Sequence, residues 1–384
     1  MRVLLTSNRG AGHVGPLVPF ARAFLEAGHD VLLAAPEQVR RHVERAGAPY
    51  RPFTGSDQHE RDAIFGSLSG LSRERQGVRV MREVFAGIDL RAALEDVFGL
   101  VREYRPDVVL REPTEYAGLL VAERLGVRHG RIAAMAAATE AWGIPVVAGV
   151  LDRHRRRLGL RPDPRARAIH ESPYLTVIPQ ALEDPADPGQ WLTWRFREPA
   201  PDPWPLPEDD ERPLVYVSYG TETPTRPWFP ALFRATVAAL ADLPVRALFT
   251  IGDDVAREPL GPAPPNVRIE RWIPQAAVMR HAAAVVHHGG AGTTRMALAA
   301  GVPAVIVPGF ADQFRNAERV SAIGAGLALS LDTLPRLQSA VRLLLEHAAY
   351  REAARRAAAG VAALPAIDEA PAAVCDWLAA ARAA

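Results

Sequence analysis

The chain of 384 residues predicts an α/β protein built from two doubly wound parallel sheets. Three observations carry this. Short apolar runs such as Arg2-Val-Leu-Leu-Thr-Ser7, Asp30–Ala35 and Leu214-Val-Tyr-Val-Ser218 recur, each too short for a buried helix. Glycine-rich turns lead from such runs into helical stretches, as in a βαβ unit. A stretch rich in proline then divides two regions of strand–helix alternation. Between Pro179 and Pro213 stand Pro185, Pro188, Pro199, Pro201, Pro203, Pro205 and Pro207, closed by Glu208-Asp-Asp-Glu211. Proline lacks an N–H donor and stiffens the chain, which suits a semi-extended connector. The expected organisation is a first domain over 1–198, a linker over 199–213, a second domain over 214–365 and a terminal helical segment over 366–384.

In the first half, Arg2–Ser7 is expected to be a buried parallel strand. It runs into Gly10-Ala-Gly12-His13-Val-Gly15-Pro16, a helix through Ala27 and a second strand, Asp30–Ala35. The glycines form Gly-x-Gly-x-x-Gly after a strand and at the head of a helix. Glu37 lies near the place where a dinucleotide-binding fold puts its ribose acid. An NAD- or FAD-dependent oxidoreductase is therefore one reading. Glu37 follows Pro36 beyond the strand, however, and equally fits the solvated first turn of a helix over Glu37–Ala46. Arg105-Pro-Asp-Val-Val-Leu110 is a further expected strand, followed by Glu112 and Glu115.

The second half carries a denser pattern. Ala284-Val-Val-His287 reads as a strand and the stretch from Thr293 to Ala300 as a helix, with Gly289, Gly290 and Gly292 between them. Glycines there let backbone N–H groups approach a phosphate, and a helix N-terminus favours negative charge. His288, Thr293 and Thr294 add side-chain donors. By themselves these residues fit equally a tight structural turn with two incidental histidines. A metal site on His287 and His288 is disfavoured, because neighbours at a strand end point apart. Trp272, before Ile273-Pro-Gln275, offers a ring for stacking on a base or else a core side chain. Asp312 and Gln313 follow the strand Ala304–Val307, where open α/β sheets bind ligands, and a carboxylate beside an amide suits vicinal hydroxyls.

Taken together, Val267–Leu329 resembles the donor-binding region of inverting GT-B glycosyltransferases, particularly the bacterial enzymes that glycosylate antibiotics, polyketides and other natural products, and is similar to UDP-glucuronosyl and glucosyltransferases. The matching residues are Trp272, Pro274-Gln275, His288-Gly-Gly-Ala-Gly-Thr-Thr294, Gly301-Val-Pro303, Pro308, Asp312-Gln313 and Asn316. Leu214–Thr221 resembles the first strand and turn of the same donor domain. The resemblance implies two Rossmann-like domains facing across a cleft, with the last helix crossing back to the first. It places the base on Trp272, the diphosphate at His288 and the sugar at Asp312 and Gln313. Further donor contacts are expected at Gly12, Ser218, Gly220, Thr221, Ile273, Gln275, Gly289, Gly290, Gly292 and Thr293. His13 is the implied general base and Glu112 the acid that orients it, with Glu115 as a substitute.

A departure from the pattern bears on the donor. In relatives that use uridine diphosphate sugars, a glutamate eight residues after the diphosphate histidine grips the ribose; here Met296 stands there. A thioether is a poor acceptor for a 2′-hydroxyl, which a 2′-deoxyribose lacks. A dTDP-deoxysugar is thus expected over a UDP-sugar, unless Met296 merely packs and another residue reaches the ribose. The sequence shows no Asp-x-Asp motif, so a metal-independent single displacement is expected, with the nucleotide sugar as co-substrate and no cofactor.

Less is legible about the acceptor. Thr54–Val80, with Phe65 and Leu68 as isolated apolar points, is either a mobile loop over the acceptor or a surface insertion. Ala133–Pro145, with Met135 and Trp142, lines an apolar pocket or is ordinary packing. Phe65, Met135 and Trp142 are the expected acceptor contacts, for a polyketide, macrolide, enediyne or similar apolar aglycone. Arg153-His-Arg-Arg-Arg157 reads as a solvated helix face. A silent helper protein on the same fold is disfavoured, since His13, Glu112, His288 and Asp312 are all retained.

The global numbers exclude several classes. Lys plus Arg is 45 against 44 for Asp plus Glu, a net +1 that gives no electrostatic case for nucleic acid or membrane partners. One cysteine, Cys375, excludes an internal disulfide framework and suits a reducing cytoplasm. No signal peptide or membrane span is expected. A homodimer is compatible with the sequence.

Overall fold

The computed structural model describes residues 1–45, 47–186, 192–205, 210–226, 228–252 and 261–383. Ala46, which ends the expected third helix, and Pro188, Pro207, Glu208 and Asp209 of the expected connector lie outside the described residues.

Two compact units divide the chain. The first comprises Met1–Val177, Asp184–Glu198 and Pro365–Ala384; the second comprises Ile178–Glu183 and Pro199–Leu364. Ile178–Glu183 thus belongs with the second unit rather than with the sequence around it. One tie is local, the Arg319 guanidinium donating to the Ala181 carbonyl at 3.2 Å.

In the first unit seven parallel strands are described: β1 Arg2–Thr6, β2 Asp30–Pro36, β3 Tyr50–Phe53, β4 Val108–Arg111, β5 Arg128–Ile132, β6 Tyr174–Thr176 and β7 Thr193–Arg195. Their order is β3-β2-β1-β4-β5-β6-β7. Alternation along β1 builds the layers. Val3 and Leu5 join one buried cluster with Leu17, Phe20, Ala21 and Phe24 of the helix Leu17–Glu26. Leu4 joins the opposite cluster with Val97 and Val101 of Leu90–Tyr104 and with Leu120 of Tyr116–Leu125. The spacing 17, 20, 21, 24 is one helical face, which is why this segment winds and packs. Ala370, Val374 and Leu378 of the last helix, Ala370–Ala383, belong to the first of these clusters, so the chain's end is part of this unit's core.

The second unit repeats the plan with β8 Leu214–Ser218, β9 Arg246–Thr250, β10 Val267–Glu270, β11 Ala284–His287, β12 Ala304–Ile306 and β13 Gly326–Ala328, all parallel, in the order β10-β9-β8-β11-β12-β13. Val215, Val217, Val286 and Val305 pack against the helices Phe229–Ala241 and Leu337–Glu346.

Two local expectations are corrected. Of the two readings of Thr54–Val80 the loop gives way: the segment contains the helices Gln58–Gly66 and Arg73–Arg79, capped by the Asp57 and Ser72 side chains. It leads into a wide-wound π-helix, Val80–Asp89. In the basic run, Arg155 is buried and paired at 2.6 Å with Glu123 rather than solvated. Cys375 is a free, half-buried thiol 3.9 Å from the Met1 sulfur. Among the described residues no helix is long and apolar enough to cross a membrane.

Candidate active site

In each sheet the chain winds outward in both directions from a central pair of strands, β1 and β4 in the first and β8 and β11 in the second. Side chains just beyond the carboxyl ends of such a pair stand at a topological switch point, where open α/β sheets take ligands. His13 follows β1 and Glu112 follows β4; Gly220 follows β8 and His288 follows β11.

The first switch point brings His13 and Glu112 together. Gly10 adopts φ +110, a conformation natural to glycine, and its missing Cβ would lie 3.3 Å from the His13 ring. The ring stands at the head of the sheet in the short helix Ala11–Val14. Glu112 is fixed by the sheet itself, its backbone N–H donating to the Thr6 carbonyl at 2.8 Å. His13 Nδ1 lies 3.0 Å from Glu112 Oε1, with the carboxylate fully buried. The approach is bent from an ideal hydrogen bond, and neither atom has another partner among the described residues. The second oxygen of Glu112 accepts from the Thr114 N–H at 2.9 Å and the Thr114 hydroxyl at 2.7 Å, so the carboxylate cannot turn away.

Burial pushes the His13 pKa down, but the charge of Glu112 and the hydrogen bond to it push it up, with a smaller contribution from Asp89. The balance lies above the ordinary histidine value. With Nδ1–H facing the carboxylate, Nε2 carries the lone pair and is the nitrogen able to take a proton.

Arg111, Asp89 and Phe85 escaped the sequence reading. Arg111 is fully buried, and its Nη1 donates to the backbone carbonyls of Glu112, Pro113 and Glu115 at 3.1, 2.6 and 3.3 Å. It grips the loop that delivers Glu112. Burial lowers its pKa, yet a guanidinium retains its charge at neutral pH. Phe85 meets the His13 ring edge-on, with centroids 5.5 Å apart. Asp89, on the same π-helix, is buried and held by Arg61 at 2.7 and 3.0 Å and by the Ser56 hydroxyl at 2.5 Å. A π-helix has no single-sequence signature, although such distortions concentrate at functional sites. Glu115, the alternative acid, is occupied elsewhere: it caps the helix Tyr116–Leu125 through Gly118 N at 3.0 Å and accepts from the Thr6 hydroxyl. Glu37 is exposed and bonded to Arg40 at 2.5 and 2.8 Å, a surface pair rather than a ligand for ribose.

At the second switch point the backbone is crowded. A Cβ on Gly290 would lie 2.3 Å from His288 Nε2, and one on Gly220 2.6 Å from the same ring. Gly289, at φ +89, would strike the Gln313 carbonyl at 2.8 Å. The His288 ring is therefore pressed against two glycine turns, one from β8 and one from β11. The helix Ala291–Ala299 starts directly after Gly290 and directs its first N–H groups at the turn. Burial pushes the His288 pKa down to about 4, against a smaller upward pull from the Ser218 backbone, so the ring is neutral at neutral pH. His287 is buried in the sheet, accepts from Gly289 N at 3.0 Å, and is pushed by burial down to about 3.

Around this turn the remaining residues separate into exposed groups and supports. Trp272 is 57% exposed, an open ring rather than a core side chain. Ile273 is buried and Thr221 and Gly292 are exposed. Ser218 is buried, its hydroxyl 3.4 Å from Gly220 N. Gln275 donates to the Tyr216 hydroxyl at 3.1 Å and accepts from Thr293 at 3.3 Å, joining β8 to the helix after the turn. Gln313 accepts from Gly309 N at 2.8 Å and Phe310 N at 3.1 Å, which leaves its amide N–H groups to donate. Asn316 ties Asp312 at 2.9 Å to the Gly289 carbonyl at 2.8 Å, coupling the Asp-Gln pair to the glycine turn.

Of the expected acceptor residues, Phe65 is exposed with Arg61 over its ring at 5.6 Å, and Met135 is half-buried. Trp142 is half-buried and packs so closely on Gly77 that a Cβ there would lie 2.8 Å from its ring. Gly12 is exposed, with open space where its Cβ would be.

Residues 234–378 match the family described as Erythromycin biosynthesis protein CIII-like, C-terminal domain. Across 99% of its length the chain is 35% identical to an L-demethylnoviosyl transferase of Streptomyces niveus, of which it covers 98%. Its fold matches CalG4, the calicheamicin glycosyltransferase, with a TM-score of 0.81 and 25% identity over 99% of this chain and 98% of that one. It also matches the glycosyltransferase SsfS6 of Streptomyces sp. SF2575, solved in complex with thymidine diphosphate, with a TM-score of 0.76 and 26% identity over 98% of this chain and 99% of the other. Two parallel α/β units, each with polar groups at its switch point, together with likeness along the whole length, place this chain among the natural-product glycosyltransferases of GT-B fold.

Proposed function

We propose that the protein transfers a sugar, a deoxysugar by preference, from a dTDP-sugar to an apolar natural-product aglycone with inversion at the anomeric carbon. The observation that carries this is the 3.0 Å pairing of His13 Nδ1 with the buried Glu112 at the head of β1 and β4. An acceptor hydroxyl is a weak nucleophile. Nε2 of His13 takes its proton as the oxygen bonds to C1, and the C1–O bond to the diphosphate breaks with its electron pair leaving on the phosphate oxygen. Glu112 keeps the ring in the productive tautomer and stabilises the imidazolium that forms.

The second unit holds the donor in this reading. The open Trp272 ring stacks on the base, and the His288–Gly290 turn with the first N–H groups of Ala291–Ala299 takes the diphosphate. Asp312 and the Gln313 amide take the sugar hydroxyls. Met296, half-buried on that helix, offers no good acceptor to a ribose 2′-hydroxyl, which favours a 2′-deoxyribose; the relative solved with thymidine diphosphate supports the same preference. The growing charge on the diphosphate is met without a metal ion, and the protein needs no cofactor.

Calorimetric titration with thymidine diphosphate, uridine diphosphate and NAD tests the donor. Thymidine diphosphate should bind tightest, and turnover of a dTDP-deoxysugar with an aglycone panel should survive chelator. Preference for uridine diphosphate would overturn the reading of Met296, and activity lost to chelator and restored by magnesium or manganese would overturn the metal-free step.

A further inference from the structure

The loop after β8 contains a cation that neither the dyad nor the glycine turn uses. Arg226 lies with its guanidinium over the Phe310 ring, 4.8 Å from the centroid. Its Nε is buried and has no hydrogen-bond partner among the described residues. On the same loop the Thr223 hydroxyl, in a residue 1% exposed, is likewise unpartnered. Buried polar groups are nearly always paired, and two orphans on one loop point to a ligand that supplies the missing acceptors.

The topology indicates which ligand. β8 and β12 flank β11, so the loops that follow them can meet only over the carboxyl end of β11, where the Gly289-Gly290 turn lies. They meet twice: Arg226 covers Phe310, and the absent Cβ of Gly309 would lie 2.9 Å from the Trp228 ring. Gly309 and Phe310 are themselves held by Gln313, beside Asp312. Arg226 thus stands where the turn assigned to the diphosphate adjoins the pair assigned to the sugar.

We infer that Arg226 is a further donor-binding residue whose guanidinium meets the β-phosphate, the group that bears the sugar and leaves with the electron pair of the broken C1–O bond. The inference rests on the donor reading above. A fixed cation there strengthens as charge accumulates on the leaving group and exchanges no proton. Stacking on Phe310 orients the guanidinium plane in advance.

Binding of thymidine diphosphate and of thymidine monophosphate, measured by calorimetry on the full chain, isolates the β-phosphate. The unmodified protein should prefer the diphosphate. Arg226→Met, which keeps an apolar chain against Phe310, should weaken the diphosphate about 10- to 100-fold, the range of a charge-assisted hydrogen bond, and leave the monophosphate within about twofold. Arg226→Lys should recover part of the loss and serves if the Met variant does not fold. Undiminished diphosphate binding in both variants, or equal weakening of both nucleotides, overturns the role of Arg226 while leaving the donor reading intact. Binding of neither nucleotide by the unmodified protein removes the donor reading and this inference with it.

Discussion

The glycine turns after β1 and β11 share a plan and differ in use. Both join a buried parallel strand to a helix at a switch point, and both place a histidine beside glycines. After β1 the glycine serves the side chain: Gly10 at φ +110 gives the chain room to present His13, and Gly12 is open to solvent. After β11 the glycines serve close packing: Gly289 and Gly290 are pressed against Gln313 and the His288 ring, directly before the first turn of the helix Ala291–Ala299. Electrostatics divides them further. Glu112 holds the His13 pKa up, while burial drives that of His288 down to about 4. In the function proposed above, the first motif presents the base and the second cradles the diphosphate.

The largest effect that separates the two belongs to His13→Ala, which should cost about 10²–10⁴ in turnover, the usual contribution of a positioned base. Its affinity for thymidine diphosphate should stay within about twofold. Gly290→Ala forces a methyl into the His288 ring, a strain of roughly 1–3 kcal/mol that should fall on donor affinity. Gly12→Ala meets nothing and adds helix propensity, so it should raise stability by up to about 1 kcal/mol. Thermal unfolding and nucleotide titration of the two alanine variants side by side check the contrast.

The pH dependence sharpens it. On the proposed mechanism turnover uses neutral His13, so it should rise with pH and level off only above the raised pKa. Glu112→Gln lets burial prevail, so the acid limb should move to lower pH while the plateau falls about 10²-fold or more, as when a buried acid behind a catalytic histidine is neutralised. Stability follows the same pair. The folded pKa lies above the unfolded value of about 6.5, so the contribution is fully present below that pH and is lost as pH rises through the raised value. Chemical denaturation of the native and Glu112→Gln proteins between acid and alkaline pH should converge at the alkaline end.

A smaller signal concerns His288. A diphosphate beside a ring whose pKa is near 4 pulls that pKa upward, so binding should take up a fraction of a proton and tighten as pH falls. Calorimetric enthalpies in buffers of different ionisation heat report that fraction, and an enthalpy independent of buffer would place the diphosphate away from His288.

The elements were legible in the sequence wherever local chemistry set them. The strands β1, β2, β4, β8, β11 and β12 followed from short apolar runs, and the glycine turns announced both switch points, whereas β3, β5, β6, β7, β9, β10 and β13 were not read. The pairing of His13 with Glu112, which are 99 positions apart, needed a resemblance to suggest it, because only the sheet order makes β1 and β4 neighbours. Arg111 was invisible for another reason: it acts on carbonyl groups, whose positions no side-chain pattern encodes. Gln275 was expected as a ligand contact from the resemblance and Gln313 from residue type as well, and the fold commits part of the hydrogen bonding of each to backbone and neighbours. Thr54–Val80 read as either a loop or a surface insertion because its helices bury almost nothing apolar on their own faces. Their stability comes from capping and from ties such as Arg61 to Asp89.

The division of labour between the two turns is tested most directly by titrating thymidine diphosphate into the native protein, His13→Ala and Gly290→Ala. The account requires the native protein and His13→Ala to bind alike and Gly290→Ala to bind at least about 5-fold more weakly. Loss of binding in His13→Ala, or unchanged binding in Gly290→Ala, would contradict it.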